Sequence, residues 1–488
     1  MHRKQIPIIA IAIILSGVAF FLLAAGDGES MKGMIIFTQI AVDKAGGNPS
    51  SEESWRYPDR SRIVALNSDA PQGTVHVLTE AFHSARSPEI SYDGKRLLFA
   101  GQQHEGDPWH IWEMKLPGRE VKQITEDKGC TDPAYLPDGR IIFSAFNSNL
   151  RYETEKTDKT VNALYTCNLD GSGVERITFH PESDFAPTLL RDGRVLFVSS
   201  NSDRAIGGSK LLAMRYDGMW VELFYENMQT GWQNCRVRET DKGELIFVES
   251  SQKDSFGGRL IAISNKRPLH SRVNLAPDLE GTFHSVTPLP SGYLIVAYQP
   301  PETDSYALYE FDPVKKQLGR LIYGDSESHA VEPIAAEEHA RPKTFVSLVD
   351  AQKTSALLYC LDANRSALPV NSALPASTPG VKVQVIDAEG VLGEVPLEED
   401  GSFYLEVPTD RPLRFQTASE DGQVVRGPSS WIWARPNEKR GCIGCHEDRE
   451  LAPENRAPLA ITKPPVSLLS RLTSLAAGDK PAAKEMAK

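Results

Sequence analysis

Cysteine is scarce in this 488-residue chain, and four of its six cysteines, Cys130, Cys167, Cys235 and Cys360, stand alone. Isolated cysteines exclude a disulfide framework and leave no second ligand pair for a structural zinc site, so they are expected as buried thiols. Basic clusters are missing beyond the N-terminus and the net charge is −12, which excludes a nucleic-acid or anionic-lipid surface. Helical periodicity is nearly absent from the long middle of the chain. With 40% hydrophobic residues the chain still has apolar material for more than one core. Proteins or small molecules are the partners such a composition suits.

The other two cysteines stand together in Gly441-Cys442-Ile443-Gly444-Cys445-His446, a C-x-x-C-H motif. Two thiols at this spacing bond the vinyl groups of a porphyrin, and the adjoining imidazole is placed to ligate its iron. At this chain's Cys and His frequencies chance supplies the motif only ~0.002 times. Cys442 and Cys445 are therefore assigned the covalent attachment of one haem c, and His446 its iron. A thiol–disulfide redox centre would instead need the C-x-x-C to open a helix after a strand, whereas Trp431-Ile-Trp-Ala-Arg-Pro-Asn-Glu-Lys-Arg precedes it.

His2, Arg3 and Lys4 precede an uncharged run over residues 6–25, long enough to span a bilayer. The cationic flank places the N-terminus inside and the remainder outside the cytoplasmic membrane, the side on which haem c is attached. The expectation is a single N-terminal span in a bacterial inner membrane carrying a periplasmic or other extracytoplasmic domain. The rival is secretion to the periplasm after signal cleavage, against which Leu23-Ala24-Ala25 sets a leucine where a small residue belongs.

A repeat organises residues 31–342. Ser87-PEISYDGKRLLF, Asp132-PAYLPDGRIIF, Ala186-PTLLRDGRVLF, Cys235-RVRETDKGELIF and Ser285-VTPLPSGYLIV align on Gly94, Gly139, Gly193, Gly243 and Gly292, 45 to 54 residues apart. That period fits a four-stranded propeller blade, with each aligned glycine in a hairpin turn. Residues 34–82 hold three strand-like runs without a first strand, and residues 329–336 look like the missing one. Joining the chain ends within one blade removes the open sheet edges. The fold class is thus all-β, a six-bladed β-propeller; it becomes seven-bladed if Lys343-TFVSLVD and Ala356-LLYCLD form another blade.

After residue 343 alternating runs at Val381-KVQVID, Gly401-SFYLEV and Leu413-RFQTA suggest a small β-sandwich over 343–462 that carries the haem segment. Residues 463–488 become rich in Ala, Lys and Pro after Leu468, Leu469, Leu472 and Leu475, and are expected to be a disordered tail.

Asp400-GSFYLEVPTDRPLRFQT followed by Ser430-WIWARPNEKRGCIGCHEDRELAPEN is similar to the haem-bearing middle domain of the hydrazine synthase alpha subunit family. The preceding propeller fits that family too. The resemblance implies a haem domain working with other subunits. It also implies a second c-type haem in a further C-terminal domain and a tyrosine iron ligand one helical turn beyond the motif. Here there is one C-x-x-C-H, and the tyrosine position is Glu450. Direct ligation by His446 is the expectation.

No histidine follows His446, so a sixth ligand comes from upstream or from another chain. His284 and His329, at equivalent positions of successive repeats, are the candidates, with polar lining of a wet channel as the plainer role. Trp431 and Trp433 are expected as sandwich core or porphyrin contacts. Arg435 and Arg440 are expected as propionate partners or solvated surface, and Glu447, Asp448 and Glu450 as a solvated acidic segment. Three functions fit: an electron-transfer protein whose propeller docks a redox partner, a haem-dependent oxidoreductase acting on a small nitrogenous substrate, or a binding module with a structural haem. The first is favoured, because a single haem leaves no internal route for the electrons a synthase needs.

Overall fold

A computed structural model describes residues 31–42, 56–116, 120–126, 129–147, 161–200, 208–227, 232–233, 236–250, 257–366, 368–444 and 455–469, and every structural statement here refers to them. Eight β-sheets make up the described chain, six between Met34 and Ala335 and two between Ser355 and Ser467.

The first six are propeller blades. Blade 1 is the closure: Ser328–Ala335 pairs antiparallel with Met34–Ala41, which pairs with Arg62–Asn67 and then His76–Val77. The inner strands of blades 2 to 6 are Ser84–Ile90, Thr131–Tyr135, Ser183–Leu189, Arg238–Glu239 and Thr282–Pro288, and neighbouring inner strands touch around the axis. The five aligned glycines all take positive φ, between 68° and 93°, the conformation a tight hairpin asks of that position. Between the blades lie apolar layers; one layer joins Phe185, Leu196, Leu211 and Phe247 of blades 4 and 5.

One device of the inner strands has no glycine to announce it. Ser87, Asp132, Ala186 and Glu332 each precede a proline, each takes φ between 52° and 55°, and the pairing slips at each as in a β-bulge. The bulges link blade to blade. Glu332 N donates to Ser285 Oγ at 2.8 Å, Ser87 N to Glu332 Oε2 at 2.8 Å, Ser87 Oγ to Asp132 Oδ1 at 3.0 Å, and Ala186 N to Asp132 Oδ2 at 3.3 Å. Side chains thus satisfy backbone groups that the bulges release from the ladders.

Residues 336–354 form no strand. They cross from the propeller to the second domain, with His339 N donating to Tyr92 O at 3.0 Å and the Phe345 ring stacked on Tyr216 at 5.0 Å. The seventh-blade alternative therefore falls away: Lys343-TFVSLVD runs over the propeller, and Ser355–Asp362 belongs to the sandwich.

The sandwich has one sheet ordered Lys439–Gly444, Ser355–Asp362, Phe403–Pro408, Val466–Ser467 and another ordered Gly390–Pro396, Lys382–Asp387, Arg414–Ala418, Val424–Arg426. Leu358, Val383, Val385, Leu405, Val407 and Leu413 fill the core between them. Part of the expected tail is structured. Val466–Ser467 pairs in parallel with Leu405–Glu406, and Leu468 is buried in the same core, an apolar plug that sequence composition alone hid. Residues 1–30, including the expected span at 6–25, lie outside the described residues, and among those described no helix is long and apolar enough to cross a membrane.

Candidate functional site

Cys442 sits on the edge strand Lys439–Gly444, which runs parallel to Ser355–Asp362. Two glycines let this strand take its place. A Cβ at Gly441 would overlap the Tyr359 ring on the neighbouring strand, and one at Gly444 would overlap the Arg365 carbonyl. The sequence Arg-Gly-Cys-Ile-Gly thus delivers the first thiol of the motif at a fixed register. Cys445, His446, Glu447, Asp448 and Glu450 lie outside the described residues.

Cys442 lines a cavity of about 510 Å³ between the sandwich and the propeller. Leu358, Phe403, Phe415, Trp431 and Ile432 form the sandwich wall, and Trp220, Val221, Leu223 and Leu269 of blades 4 and 5 form the other. Its size and its largely apolar lining with a few polar groups are those of a cofactor pocket. Trp431 is held there by the Arg414 guanidinium, 4.4 Å over its ring. The pocket, its aromatic walls and the thiol on its rim fit a porphyrin attached at Cys442.

The two tryptophans part company. Trp431 lines the cavity, whereas Trp433 is fully buried in the layer between blades 3 and 4, beside Ile177, Phe179, Leu212 and Tyr216. Its Nε1 donates to Gly218 O at 2.9 Å, and its ring stacks on His180. The expectation of sandwich core is corrected here: Trp433 is a wedge from the middle domain into the propeller.

Arg435 and Arg440 are corrected as well, since neither is solvated surface. Arg435 is 3% exposed and pairs with Glu175 and Asp410. Arg440 donates to Glu438, to Val221 O at 3.1 Å and to Trp433 O at 2.9 Å. Glu438, with no exposed surface, also accepts from Arg435 N at 2.8 Å and Trp220 N at 3.0 Å. A buried carboxylate is tolerable because cation and backbone donors surround it. The two arginines are spent on fastening the domains, although Arg440 also borders the cavity.

His284 and His329 lie elsewhere, flanking Tyr306 with ring centroids 5.5 and 5.7 Å from its own. Tyr306 N donates to His329 Nδ1 at 3.3 Å. Burial pushes His284 down to about 3 and His329 down to about 4, so both are neutral. Neither lines the cavity beside Cys442, so the structure does not bring them to the thiol. Cys130, Cys167 and Cys360 are buried thiols, as expected, and Cys235 lies outside the described residues.

Sequence reasoning missed His180. Burial opposes its charge, yet the carboxylates of Asp184 and Glu182 push it up to about 9, and its Nε2 lies 2.8 Å from Asp184 Oδ2. It missed Trp220 and Leu269 too, because both sit in turns that carry no motif.

Residues 335–447 match the family described as the hydrazine synthase alpha subunit middle domain. Hydrazine synthase subunit alpha of Kuenenia stuttgartiensis is 24% identical, the match covering 88% of this chain and 68% of that one. The solved structure of Kuenenia stuttgartiensis hydrazine synthase superimposes with a TM-score of 0.75 at 22% identity, covering 88% of this chain and 71% of that chain. An 82-residue stretch is 34% identical to dipeptidyl-peptidase 5 of Porphyromonas gingivalis, 17% of this chain and 11% of that one. The resemblance read in the sequence to the hydrazine synthase alpha subunit family thus extends through the propeller and the haem-motif domain, and the all-β fold is shared.

Proposed function

We propose that this chain is a membrane-anchored, extracytoplasmic monohaem c-type protein that transfers electrons, with the propeller as its docking surface for a redox partner. One observation carries the reading: the first thiol of the C-x-x-C-H motif stands on the rim of an apolar cavity of about 510 Å³ at the junction of the two domains. Cys442 and Cys445 would hold the porphyrin and His446 its iron.

Bound there, the haem supplies a one-electron iron couple. The protein's own contribution is burial and fixation. Trp431, Phe403 and Phe415 keep water from one side, and Val221, Leu223 and Leu269 from the other. A low-dielectric pocket of this kind favours the less charged, reduced state of a haem and raises its potential. The Glu438, Arg440 and Trp433 contacts fix the cavity's two walls against each other, so that little reorganisation accompanies a change of charge. With one C-x-x-C-H in these residues, electrons enter and leave through the surface, which calls for a partner protein or further subunits. The relative named as a subunit of hydrazine synthase supports that expectation. The run at residues 6–25 would hold the assembly at the inner membrane.

That same relative supports a second reading, a haem enzyme acting on a small nitrogenous substrate. Coordination separates the two. Absorption and electron paramagnetic resonance spectra of residues 31–488, made with a haem c maturation system, are expected to give low-spin, six-coordinate iron. High-spin, five-coordinate iron would overturn electron transfer and favour the enzyme.

A further inference from the structure

We infer that Cys360 and Cys442 form a reversible disulfide in the haem-free chain, making Cys360 the redox partner that masks the first haem-attachment thiol. The two cysteines are far apart in sequence, and Cys360 belongs to no motif. The sheet brings them together. Ser355–Asp362 and Lys439–Gly444 are parallel neighbours, and their register sets Cys360 directly against Cys442. Partners across a ladder have Cα atoms about 4.8 Å apart, inside the range of roughly 4.4 to 6.8 Å that a disulfide spans.

The side chains share a face. Cys360 is fully buried in the sandwich core, and Cys442 packs against that same core while also lining the cavity. The flanking pair supports the register independently, since Gly441 has no side chain where the Tyr359 ring lies across from it. Two thiols held side by side on a paired sheet meet at high effective concentration.

The chemistry closes with a disulfide oxidant such as oxidised glutathione. The Cys442 thiolate, on the accessible side, attacks the glutathione disulfide and releases one glutathione; the Cys360 thiolate then attacks the Cys442 sulfur of the mixed disulfide and releases the second. Two protein thiols lose two electrons and two protons in all, and one glutathione disulfide becomes two glutathione thiols. While the bond stands, the Cys442 sulfur cannot add to a vinyl group. Haem attachment then waits on reduction. The pairing rests on the register alone; its effect on haem rests also on the proposed function.

The test uses the full chain made without haem maturation, reduced, exchanged into oxidised glutathione and digested without reduction for mass spectrometry. A Cys360–Cys442 cross-linked peptide as the main disulfide, cleaved by dithiothreitol, is the expected result. A Cys442–Cys445 bond, or glutathione adducts alone, would overturn it. Cys360→Ala, an apolar replacement suited to the core, removes the resolving thiol and should leave at least tenfold more Cys442 as its glutathione mixed disulfide under the same oxidising conditions. An unchanged amount of that adduct in a variant with native circular dichroism counts against the pairing. Equal haem uptake by the oxidised and reduced wild-type chains would sink the masking role. A cross-link that forms in a chain taking up no haem even when reduced would leave the pairing standing and refute the haem reading instead.

Discussion

The Trp433 indole lies stacked on the His180 imidazole, ring centroids 5.2 Å apart and planes 26° from parallel, so that the middle domain is pinned into the propeller through a single buried aromatic. The wedge and the motif strand belong to one segment: nine residues after Trp433 the chain has passed Glu438 and Arg440 and placed Cys442 at the cavity. The wedge and the first motif thiol are therefore carried on one continuous stretch of sequence.

Removing the wedge should loosen the junction. Trp433→Ala deletes a fully buried side chain and leaves Gly218 O without its donor, a loss of about 3–5 kcal/mol. Limited proteolysis of the 336–354 crossing and a thermal scan check it: faster cleavage there and a lower transition for the sandwich are expected, with blade 6 and the closure protected as before.

The Glu438 cluster should respond more sharply to one deletion than to two. Glu438→Ala strands the buried Arg440 guanidinium and is expected to cost roughly 3–5 kcal/mol. Combined with Arg440→Met, the loss should shrink, because the uncompensated charge is gone. A double-mutant cycle on urea denaturation measures the coupling.

Stability should fall on both sides of about pH 6.5, for opposite reasons. His180, pushed up to about 9, gives stability that is complete below the unfolded value of about 6.5 and is lost as pH rises through 9. His284 and His329, pushed down to about 3 and about 4, do the reverse. The unfolded chain takes up their protons first, so stability declines as pH drops from about 6.5 toward 4. Denaturation midpoints across this range provide the check, and His180→Gln should flatten the alkaline limb while leaving the acid limb unchanged.

Gly441→Val places a branched side chain against the Tyr359 ring. Overpacking of this kind costs about 1–3 kcal/mol, and here it should also displace Cys442 and lower the yield of covalent haem. Tyr359→Ala in the same chain should restore part of that yield. Equal yields in both variants would show that the strand bends freely, contrary to the register described.

The propeller was legible because its signals are local. A turn glycine recurs at Gly94, Gly139, Gly193, Gly243 and Gly292, and the shortage of one strand before Met34 pointed to Ser328–Ala335 as the closing strand. The wedge was not legible, since Trp431 and Trp433 alternate as two residues of one strand face would, while the segment makes only the isolated Leu413–Ile432 bridge and sends them to different places. Arg435 and Arg440 look like surface charge until Glu175, Asp410 and Glu438 arrive from distant positions. The same holds for the cavity: Cys442 announces it, but Leu269 and Trp220 join it only through the docking of one domain on the other.

Covalent haem is the most direct measurement. The full chain, made with a haem c maturation system and then denatured, should retain one haem that Cys442→Ala/Cys445→Ala loses, with the propeller's thermal transition unchanged because that domain has its own core. Haem that survives denaturation in the double variant, or a wild-type chain that carries none, would contradict the account.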